Sequence, residues 1–457
     1  MLGDTYQADH RHRWHGSHGR RETGPLSPKT RPRPNANTCR GKQRTKRRID
    51  LLILNSKETI TVNGSEQNDL GIIDEGGVAI DNGRIIEAAS SQLLERKYSA
   101  PRQLDAAGEI VLPGFVDPHT HLVFHGSREE EFQLRQEGAS YLDILKKGGG
   151  IMETVNRTRE SSQAELFSIA QHRLNIVMES GTTTLEIKSG YGLRLYDELK
   201  ILRTIRQLQR KNPCRIAATF LGAHAIPPYM NQEEYAGIVI DEMLPTVRRG
   251  NLADFCDVFC ESGVFDQEAS TKILKAAGRM NLPPKIHADQ FTNNGGAKVA
   301  NDVGAVSADH LIHSSISEME KMNKTGVTPV VLPVSSQSLL KHQYAPAREL
   351  LSMGLPVALG SDFSPSNWAI GLLTVAAIAA RELRMKAEEI IRGITINAAR
   401  AVGMDHRIGS LSPGKSADIV VLRAPSHKWI GYTYGEGMVD KVLIAGKETV
   451  REGKLVN

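Results

Sequence analysis

The sequence predicts an α/β protein in which a (β/α)8 barrel of the TIM type carries a small β-sandwich domain built from both ends of the chain. Three observations lead to this fold class. Strand-like segments occur at both chain ends, strand-like and helix-like segments alternate between them, and polar residues follow most of the central strands. The 457 residues are enough for such a barrel, which takes about 250 residues, and for one further small domain.

The first 48 residues differ in composition from the rest of the chain. They contain 13 Lys and Arg against three Asp and Glu, so residues 49–457 carry a net charge of −5 although the whole chain carries +5. The segment is rich in His, Arg, Pro and Gly and has almost no apolar periodicity. It therefore cannot bury enough surface to offset the entropy of ordering it. We expect residues 1–48 to be a disordered basic extension.

The origin of this extension has two interpretations. Its charge would suit nucleic acid or an acidic surface. The favoured interpretation is an over-extended gene start or a cloning remnant, because the folded pattern begins abruptly at Ile49. The segment also lacks the apolar core of a signal peptide. We expect no nucleic-acid partner.

Short strand patterns at both chain ends predict one small β domain. The first set runs from Ile49 to residue 111 and contains the step Asn82-Gly83. Asn-Gly is typical of a hairpin turn because both residues tolerate positive φ. Similar strand-like runs return near the C-terminal end. We expect residues 49–111 and 408–457 to be the two parts of a β-sandwich domain.

Between these parts, eight apolar, β-branched runs are separated mostly by segments of helical period. This alternation is typical of a (β/α)8 barrel, which we expect to span residues 112–407. The predicted strands are residues 109–115, 182–187, 215–221, 256–260, 284–287, 306–310, 327–332 and 356–360, and the clearest predicted helices are Ala164–Glu179, Asp197–Arg210, Glu268–Met280 and Ala345–Met353.

The cysteines and the apolar runs indicate a cytoplasmic protein. Cys256 and Cys260 could be half of a zinc site, but no second cysteine pair follows them. With Cys39 and Cys214 elsewhere in the chain, reduced core thiols are the favoured interpretation. The longest strongly apolar run, Trp368–Ala380, has 13 residues, whereas a membrane span needs about 20. We expect no association with membranes.

Polar residues follow most of the predicted barrel strands. Reactive groups of such barrels lie at the C-terminal ends of the strands, so we expect these side chains to converge. The seventh strand ends at Pro333 without a comparable group. The residues are Asp117, His119 and His121 after the first strand, Lys188 and Tyr191 after the second, His224 after the third, Glu261 after the fourth, His287 after the fifth, His310 after the sixth and Asp362 after the eighth.

His119 and His121, separated by one residue, indicate a metal site. In an extended segment residues i and i+2 project to the same side, so both imidazoles can reach one ion. Taken singly, His287 and His310 would be interpreted as core histidines and Asp362 as a helix cap. Together they favour a common site, because buried ionisable groups without partners are costly. Three imidazoles and a carboxylate suit zinc or iron with an open position for water.

This arrangement resembles the amidohydrolase superfamily, which uses metal-bound water as its nucleophile. Many members bind two metals bridged by a carboxylated lysine at the end of strand four. Here that position reads Cys260-Glu261-Ser262, and Lys188 lies on the second predicted strand. The resemblance therefore implies one zinc or iron ion per subunit. Its ligands would be His119, His121, His287 and Asp362, which leaves His310 as a proton relay or water orienter.

Within the superfamily, the sequence resembles the imidazolonepropionases of histidine degradation over about residues 49–457. The segments Gly126-Ser-Arg-Glu129 and Lys188-Ser-Gly-Tyr-Gly192 are the most specific. Further matching segments are Pro113-Gly-Phe-Val-Asp-Pro-His-Thr-His121, Gly148-Gly-Gly-Ile151, Phe220-Leu-Gly-Ala-His224, His287-Ala-Asp-Gln290, Ser307-Ala-Asp-His-Leu311 and Leu359-Gly-Ser-Asp-Phe363.

The resemblance implies hydrolysis of the cyclic amide of a small molecule, 4-imidazolone-5-propanoate, to N-formimidoyl-L-glutamate. Arg128 would bind the propionate with its guanidinium fork; without the family context, a surface salt bridge with the glutamates that follow it would be expected. His310, with Asp362 or Gln290, would orient the water and take its proton, and His224 would stabilise the developing oxyanion. The implied substrate-binding residues are Arg128, Tyr141, Tyr191, His224, Gln290, Ser364, Ser366 and Asn367.

One segment departs from the family pattern. After the ligand Asp362 the family commonly carries Asn-Pro-Gly-Thr, whereas this chain has Ser364-Pro-Ser-Asn367. Ser364 is shorter than Asn, and Ser366 adds bulk where Gly permits close approach of the backbone. We expect the contacts of this segment with the substrate to differ from those in the family.

Two other functions fit part of the pattern. A mononuclear aminohydrolase that deaminates a purine or pyrimidine would share the metal site, but it would not need Arg128 to pair with a carboxylate. A non-catalytic scaffold of the same fold would have no reason to keep a complete ligand set. The family resemblance also implies a homodimer.

Overall fold

The computed structural model describes residues 45–64, 69–138, 149–435 and 437–456. Most of the predicted basic extension, residues 1–44, lies outside this part of the chain. The first strand begins at Arg47, just before the predicted start of the folded pattern, because Arg47–Arg48 pairs in parallel with Tyr98–Ser99.

The strands of the described residues fall into a barrel and a smaller domain. In chain order they are β1 Arg47–Arg48, β2 Leu51–Leu54, β3 Glu58–Ile60, β4 Ile72–Asp74, β5 Gly76–Asp81, β6 Arg84–Ser90, β7 Tyr98–Ser99, β8 Arg102–Asp105, β9 Ile110–Pro113, β10 Phe115–Asp117, β11 Thr182–Lys188, β12 Arg215–Ala223, β13 Phe255–Cys260, β14 Lys285–Ala288, β15 Ser307–His310, β16 Thr328–Val331, β17 Ala358–Leu359, β18 Ile419–Leu422, β19 Val439–Ile444, β20 Lys447–Arg451 and β21 Lys454–Leu455.

Strands β10 to β17 form the predicted barrel. They are hydrogen-bonded in chain order, and every neighbouring pair is parallel. The two outer strands meet just beyond their ends, where Thr120 pairs in parallel with Phe363. Most strand residues are buried on both faces, as is usual for a parallel sheet covered by helices. This double burial explains why the strands appear in the sequence as continuous apolar runs.

Helices connect these strands, and the predicted helices are present with shifted ends. The helix Gln163–Glu179 begins with a capping box between Ser162 and Glu165. The helix predicted over 345–353 shortens to Ala347–Ser352, because Pro346 disfavours helical geometry at the residue before it. The other helices of the described residues are Ser91–Lys97, which precedes the barrel, and Glu129–Gln136, Ile151–Glu160, Leu195–Lys211, Gln232–Ile238, Leu244–Arg249, Gln267–Arg279, Gly296–Val303, Ile316–Thr325, Pro333–Ser338, Leu372–Glu382, Ala387–Gly393 and Ile396–Ala401, with a π-helical turn at Val239–Met243 and a 3₁₀ turn at His427–Trp429.

The first predicted strand, residues 109–115, is divided between the two domains. Strand β9 pairs with β3 and β18 of the small domain, and β10 starts the barrel at Phe115. Gly114 lies between them, and a Cβ atom there would be 2.3 Å from Thr183 Oγ1. Both halves of the run are fully buried, so hydrophobicity alone cannot show where the division falls.

Both chain ends contribute strands to the small domain, as predicted. One sheet has the order β21-β20-β19-β18-β9-β3-β4, and the other has the order β6-β5-β2-β8. The turn between β5 and β6 contains Asn82 and Gly83, with φ values of 51° and 70°. The two sheets share an apolar core that includes Leu51, Ile53, Val78, Val111, Ile419 and Val421. The β-sandwich prediction is confirmed.

The structure also bears on membrane-spanning helices and on the cysteines. No helix in these ranges has the length and apolar character needed to cross a membrane. Cys214, Cys256 and Cys260 are buried free thiols, as the sequence predicted, and Cys39 lies outside the described residues.

Candidate active site

The proposed metal ligands meet at the C-terminal ends of the barrel strands. One ligand nitrogen from each of His119, His121 and His287 lies within 4.8 Å of the others, and all three residues are buried. Asp362 Oδ1 lies 3.6 Å from Nε2 of both His119 and His121. The structure thus brings together the four residues that the sequence singled out.

The hydrogen bonds of two imidazoles fit a bound cation. His119 Nδ1 pairs with Asp309 Oδ2 at 2.6 Å, and His287 Nδ1 pairs with Asp257 Oδ1 at 3.1 Å. The Nε2 atoms of both rings are buried and have no hydrogen-bond partner among the described residues. A carboxylate on one ring nitrogen leaves the other as a lone-pair donor, which is the usual arrangement of metal-bound histidine. These residues therefore fit zinc or iron.

The ionisation of the four residues also favours a cation among them. Burial and neighbouring positive charges lower the pKa of His119, His121 and His287 well below the ordinary value, so their rings are neutral, as metal ligands must be. Burial raises the pKa of Asp362 to about 7. A positive ion beside this carboxyl group would restore its charged form at neutral pH.

Closure of the barrel brings Asp362 to the histidines. Its backbone N–H donates to the His119 carbonyl at 3.0 Å, and the His121 N–H donates to the Phe363 carbonyl at 2.8 Å. Asp362 has a φ of 50° and His310 a φ of 76°, conformations that are uncommon outside glycine. Strained residues of this kind are frequent at functional sites.

Buried charges lie next to the ligand cluster. The Lys188 ammonium is 2.6 Å from Asp257, 3.3 Å from Asp309 and 3.0 Å from Glu186, and Lys285 is 2.9 Å from Glu186. Burial alone would lower the pKa of Lys188, but the three carboxylates more than offset it and raise the pKa above its ordinary value. Lys188 is thus held by three buried carboxylates.

The sequence analysis did not single out the two aspartates that contact the proposed ligands His119 and His287. Asp309 directly precedes His310, and Asp257 lies in the apolar strand Phe255–Cys260. A signal was present, since both are acidic residues within otherwise apolar barrel strands. A buried carboxylate needs a partner, but the sequence cannot say which histidine supplies it.

His310 lies beside the ligands. Its ring centroid is 5.4 Å from that of His119 and 5.2 Å from that of His287. Its Nδ1 atom is buried without a hydrogen-bond partner among the described residues. Burial lowers the pKa of His310 to about 4, so the ring is neutral at pH 7 and can accept a proton.

Arg128 lies at the start of the helix Glu129–Gln136, and its backbone N–H donates to the Pro365 carbonyl at 3.1 Å. Burial is the main cause of the pKa shifts of Tyr191 and His224, and the charge of Arg128 acts to lower the pKa of both. The Arg128 Nε donates to Thr154 Oγ1 at 3.0 Å. The alternative expectation, a salt bridge with the following glutamates, is not realised, because Glu129 and Glu131 pair with other residues. The two terminal nitrogens of Arg128 make no ion pair within the described residues.

Tyr191 and His224 both lie against His121. Their ring centroids are 5.7 Å and 5.0 Å from that of His121, and His224 stacks on it with an interplanar angle of 12°. His224 Nδ1 lies 3.2 Å from the Gly190 carbonyl, and burial lowers the pKa of His224 to about 4. In this neutral ring Nδ1 is the donor, and Nε2 is an acceptor rather than the donor that an oxyanion requires.

The remaining predicted substrate-binding residues differ in how far their polar groups are free to contact a substrate. Gln290 and Ser366 are half-buried, and Ser364 is buried with its Oγ 3.4 Å from that of Ser366. The Asn367 side-chain NH2 group is engaged in hydrogen bonds within the protein, since it donates to the carbonyls of Ser361 and Asp362 at 2.8 and 3.0 Å. Tyr141, proposed to close the pocket, lies outside the described residues.

Comparison with solved structures supports the fold. An adenosine deaminase from Xanthomonas campestris with bound zinc aligns with a TM-score of 0.65 at 19% identity, over 90% of this chain and 95% of that chain. An atrazine chlorohydrolase from Arthrobacter aurescens complexed with zinc aligns with a TM-score of 0.67 at 16% identity, over 89% and 96%. At these identities the likeness concerns the fold alone.

Comparison with known sequences identifies the family. The model of the amidohydrolase family matches residues 265–449. An imidazolonepropionase from Symbiobacterium thermophilum is 43% identical over 90% of this chain and 99% of its own length. One from Geobacillus kaustophilus is 41% identical over 89% and 99%. Given these similarities over nearly the whole length of the relatives, and the site described above, the chain belongs to the imidazolonepropionase family of amidohydrolases.

Proposed function

We propose that this protein hydrolyses 4-imidazolone-5-propanoate to N-formimidoyl-L-glutamate, with His119, His121, His287 and Asp362 holding one metal ion per subunit. The observation that carries the proposal is the position of Arg128. Its guanidinium has no ion-pair partner among the described residues, and its backbone N–H donates to the Pro365 carbonyl at 3.1 Å, in the loop that follows the proposed ligand Asp362. An unpaired guanidinium in this position suits a substrate that carries a carboxylate group.

The metal is proposed to be zinc or iron, because three imidazoles and one carboxylate accept both. When bound, such an ion supplies an activated water molecule and polarises the substrate carbonyl. We propose no second metal ion. Glu261, at the end of β13 where many superfamily members carry a bridging lysine, accepts a hydrogen bond from the Phe291 N–H at 2.8 Å and so holds the loop after β14.

Substrate orientation is assigned to three side chains. Arg128 binds the propionate through its two terminal nitrogens, and Tyr191 lies over one face of the ring. His224 accepts a hydrogen bond from a ring N–H, because its Nδ1 is engaged with the Gly190 carbonyl and its Nε2 carries the free lone pair. Together these contacts fix the ring carbonyl towards the ligand cluster.

Proton transfer is assigned to His310. Its neutral ring can take a proton from the attacking water and return it to the ring nitrogen that leaves. The bond between the carbonyl carbon and this nitrogen breaks, the carbonyl carbon becomes a carboxylate, and one water molecule is consumed. Asp362 and Gln290 are proposed to orient the water. Gln290 is uncharged and cannot serve as the base.

The loop after β17 is proposed to complete the binding site. Ser364 and Ser366 offer hydroxyl groups in place of the amide and glycine that the family commonly has there. Asn367 is assigned a supporting role, because its amide holds the backbone of the ligand Asp362. Tyr141 stays a proposal from the sequence alone.

The direct test is the loss of ultraviolet absorbance of enzymatically generated imidazolone propionate, measured with and without a chelator. We expect turnover that the chelator abolishes and that added zinc or iron restores. Equal or better turnover of guanine or cytosine would instead favour the aminohydrolase. Complete lack of bound metal by elemental analysis, together with no turnover, would favour a non-catalytic scaffold.

We further propose a cytoplasmic homodimer. The buried reduced thiols Cys214, Cys256 and Cys260 support a reducing compartment, and the dimer rests on the family resemblance. Light scattering of the purified protein would measure the mass of the assembly, and a monomer mass at micromolar concentration would contradict the dimer.

A further inference from the structure

We propose that Lys188 is a positioning residue that orients two of the three histidine ligands through the carboxylates of Asp257 and Asp309. This inference rests on the metal site proposed above. It assigns to Lys188 a part in the strength and geometry of metal binding, although Lys188 is itself no ligand.

The contacts form two parallel chains that start from one ammonium group. Lys188 Nζ lies 2.6 Å from Asp257 Oδ2, and the other oxygen of Asp257 is 3.1 Å from both Nδ1 and the backbone N of His287. Lys188 Nζ also lies 3.3 Å from Asp309 Oδ2, which is 2.6 Å from His119 Nδ1. Asp257 therefore contacts Lys188 with one carboxylate oxygen and His287 with the other, whereas Oδ2 of Asp309 contacts both Lys188 and His119.

The barrel geometry explains why one lysine reaches both aspartates. Lys188, Asp257 and Asp309 belong to β11, β13 and β15, which are alternate strands of the barrel. In these barrels, inward-facing residues of alternate strands share a layer. All three side chains are completely buried, so bulk solvent does not reach the carboxylate oxygens.

A carboxylate that is fixed in place makes a histidine a better ligand than a mobile one, because it sets the tautomer and the ring orientation. Without the Lys188 ammonium, Asp257 and Asp309 would keep their hydrogen bonds to the rings but lose the contact that holds both of them. They would also repel each other, since both would be buried negative charges. The two rings would then present Nε2 less accurately to the ion.

Lys285 provides a matched control. It is as deeply buried as Lys188 and lies 2.9 Å from Glu186, an acid that Lys188 also contacts. Its other hydrogen bonds run to the backbone carbonyls of Pro118 and Ala401. Lys285 therefore shares the burial and the charge of Lys188 without the two links to the ligands.

The experiment is a titration of metal-free full-length protein with Co²⁺, followed by the visible d–d absorption, for wild type, Lys188→Met and Lys285→Met. In Lys188→Met we expect a Co²⁺ affinity lower by about 10- to 100-fold, the usual effect of losing an outer partner of a ligand, and altered absorption bands. Lys285→Met should keep the wild-type bands and an affinity close to that of the wild type. Circular dichroism of each variant reports whether it is folded.

Several outcomes would overturn the inference. A wild-type Co²⁺ affinity and wild-type absorption bands in Lys188→Met would do so. An equal loss of Co²⁺ affinity in Lys285→Met would also do so, because it would point to a general effect of removing a buried charge. If Lys188→Met does not fold, Asp309→Asn replaces it, because this change keeps the size of the side chain and removes the charge of one link. Wild-type binding by Asp309→Asn would then reject the idea. A wild-type protein that binds no Co²⁺ would instead reject the proposed metal site itself.

Discussion

At the scale of single residues, the chemistry of the site depends on which ring nitrogen each histidine leaves free. Aspartates occupy Nδ1 of His119 and His287, and the Gly190 carbonyl occupies Nδ1 of His224. His310 has no such partner among the described residues. In the proposed mechanism, these partners divide four imidazoles of the same chemical type into two metal ligands, one substrate contact and one base.

Arg128→Ala should raise KM for imidazolone propionate by about 10- to 100-fold, because a hydrogen-bonded charge contributes roughly 1.5–3 kcal/mol. Metal content, measured by elemental analysis, should stay unchanged, since Arg128 is not among the proposed ligands. The exposed Arg203→Ala on the outer helix Leu195–Lys211 is the control and should leave KM unaltered. A KM for Arg128→Ala within experimental error of wild type would contradict the carboxylate-binding role.

His310→Gln should lower kcat by about 10²- to 10⁴-fold, the usual contribution of a general base, with bound metal and KM largely retained. Glutamine keeps a polar group of similar length but cannot take up the proton. Steady-state kinetics and elemental analysis of the same sample would check this. Loss of the metal in parallel with kcat would show that His310 is a ligand instead.

At the scale of elements, the site depends on where strands end and how they are joined. The barrel closes through Thr120 and Phe363, beyond the regular strands β10 and β17, and this closure sets Asp362 against His119. The parallel register then places the proposed ligands, which come from distant segments, at one end of the barrel. Helix ends shift by a few residues from the predictions without consequence for the site, because the ligands follow strands.

Gly114→Ala should destabilise the protein by about 1–3 kcal/mol, the usual cost of overpacking. Its Cβ would lie 2.3 Å from Thr183 Oγ1, at the junction of β9 and β10. Gly278→Ala is the control, since its Cβ meets nothing within 4 Å and the residue lies in the helix Gln267–Arg279. Urea denaturation would measure both changes.

The steric origin of this effect can be tested by a double substitution. Adding Thr183→Ala to Gly114→Ala should restore part of the lost stability, because it removes the two closest atoms. Strictly additive losses in the double variant would show that the contact with Thr183 is not the cause.

At the scale of the whole molecule, the proposed ion links parts of the chain that are far apart in sequence. Its ligands lie at residues 119–121, 287 and 362, and the small domain joins the two chain ends by pairing β9 with β18. A ligand that binds only the folded state stabilises it by mass action. Metal binding should therefore contribute to stability as well as to activity.

Removal of the metal with a chelator should lower Tm, and added zinc should restore it. At a free metal concentration 100 times Kd the expected stabilisation is about 2.7 kcal/mol. Differential scanning calorimetry would measure the shift. His121→Ala should respond far less to the chelator, and an equal Tm shift in this variant would argue that the stabilising metal is bound elsewhere.

The sequence by itself determined the fold class, the two-part small domain and the residues that converge in the site. These depend on local rules: alternation of apolar runs, Asn-Gly turn chemistry, and the position of His119, His121, His287 and Asp362 just after predicted strands. The family motifs added the substrate and the part expected of Arg128.

Only the tertiary structure decided how the site is supported. It divided one apolar run between two domains at Gly114. It also showed that the Asn367 amide donates to the backbone carbonyl of Asp362. Finally, it showed that Lys188 contacts Asp257 and Asp309, the two aspartates next to the proposed ligands. The physical reason is that a buried acid or lysine acquires its role from its partner. Such partners lie on strands far apart in the chain, and no local pattern specifies which pairs of side chains the closed barrel brings into contact.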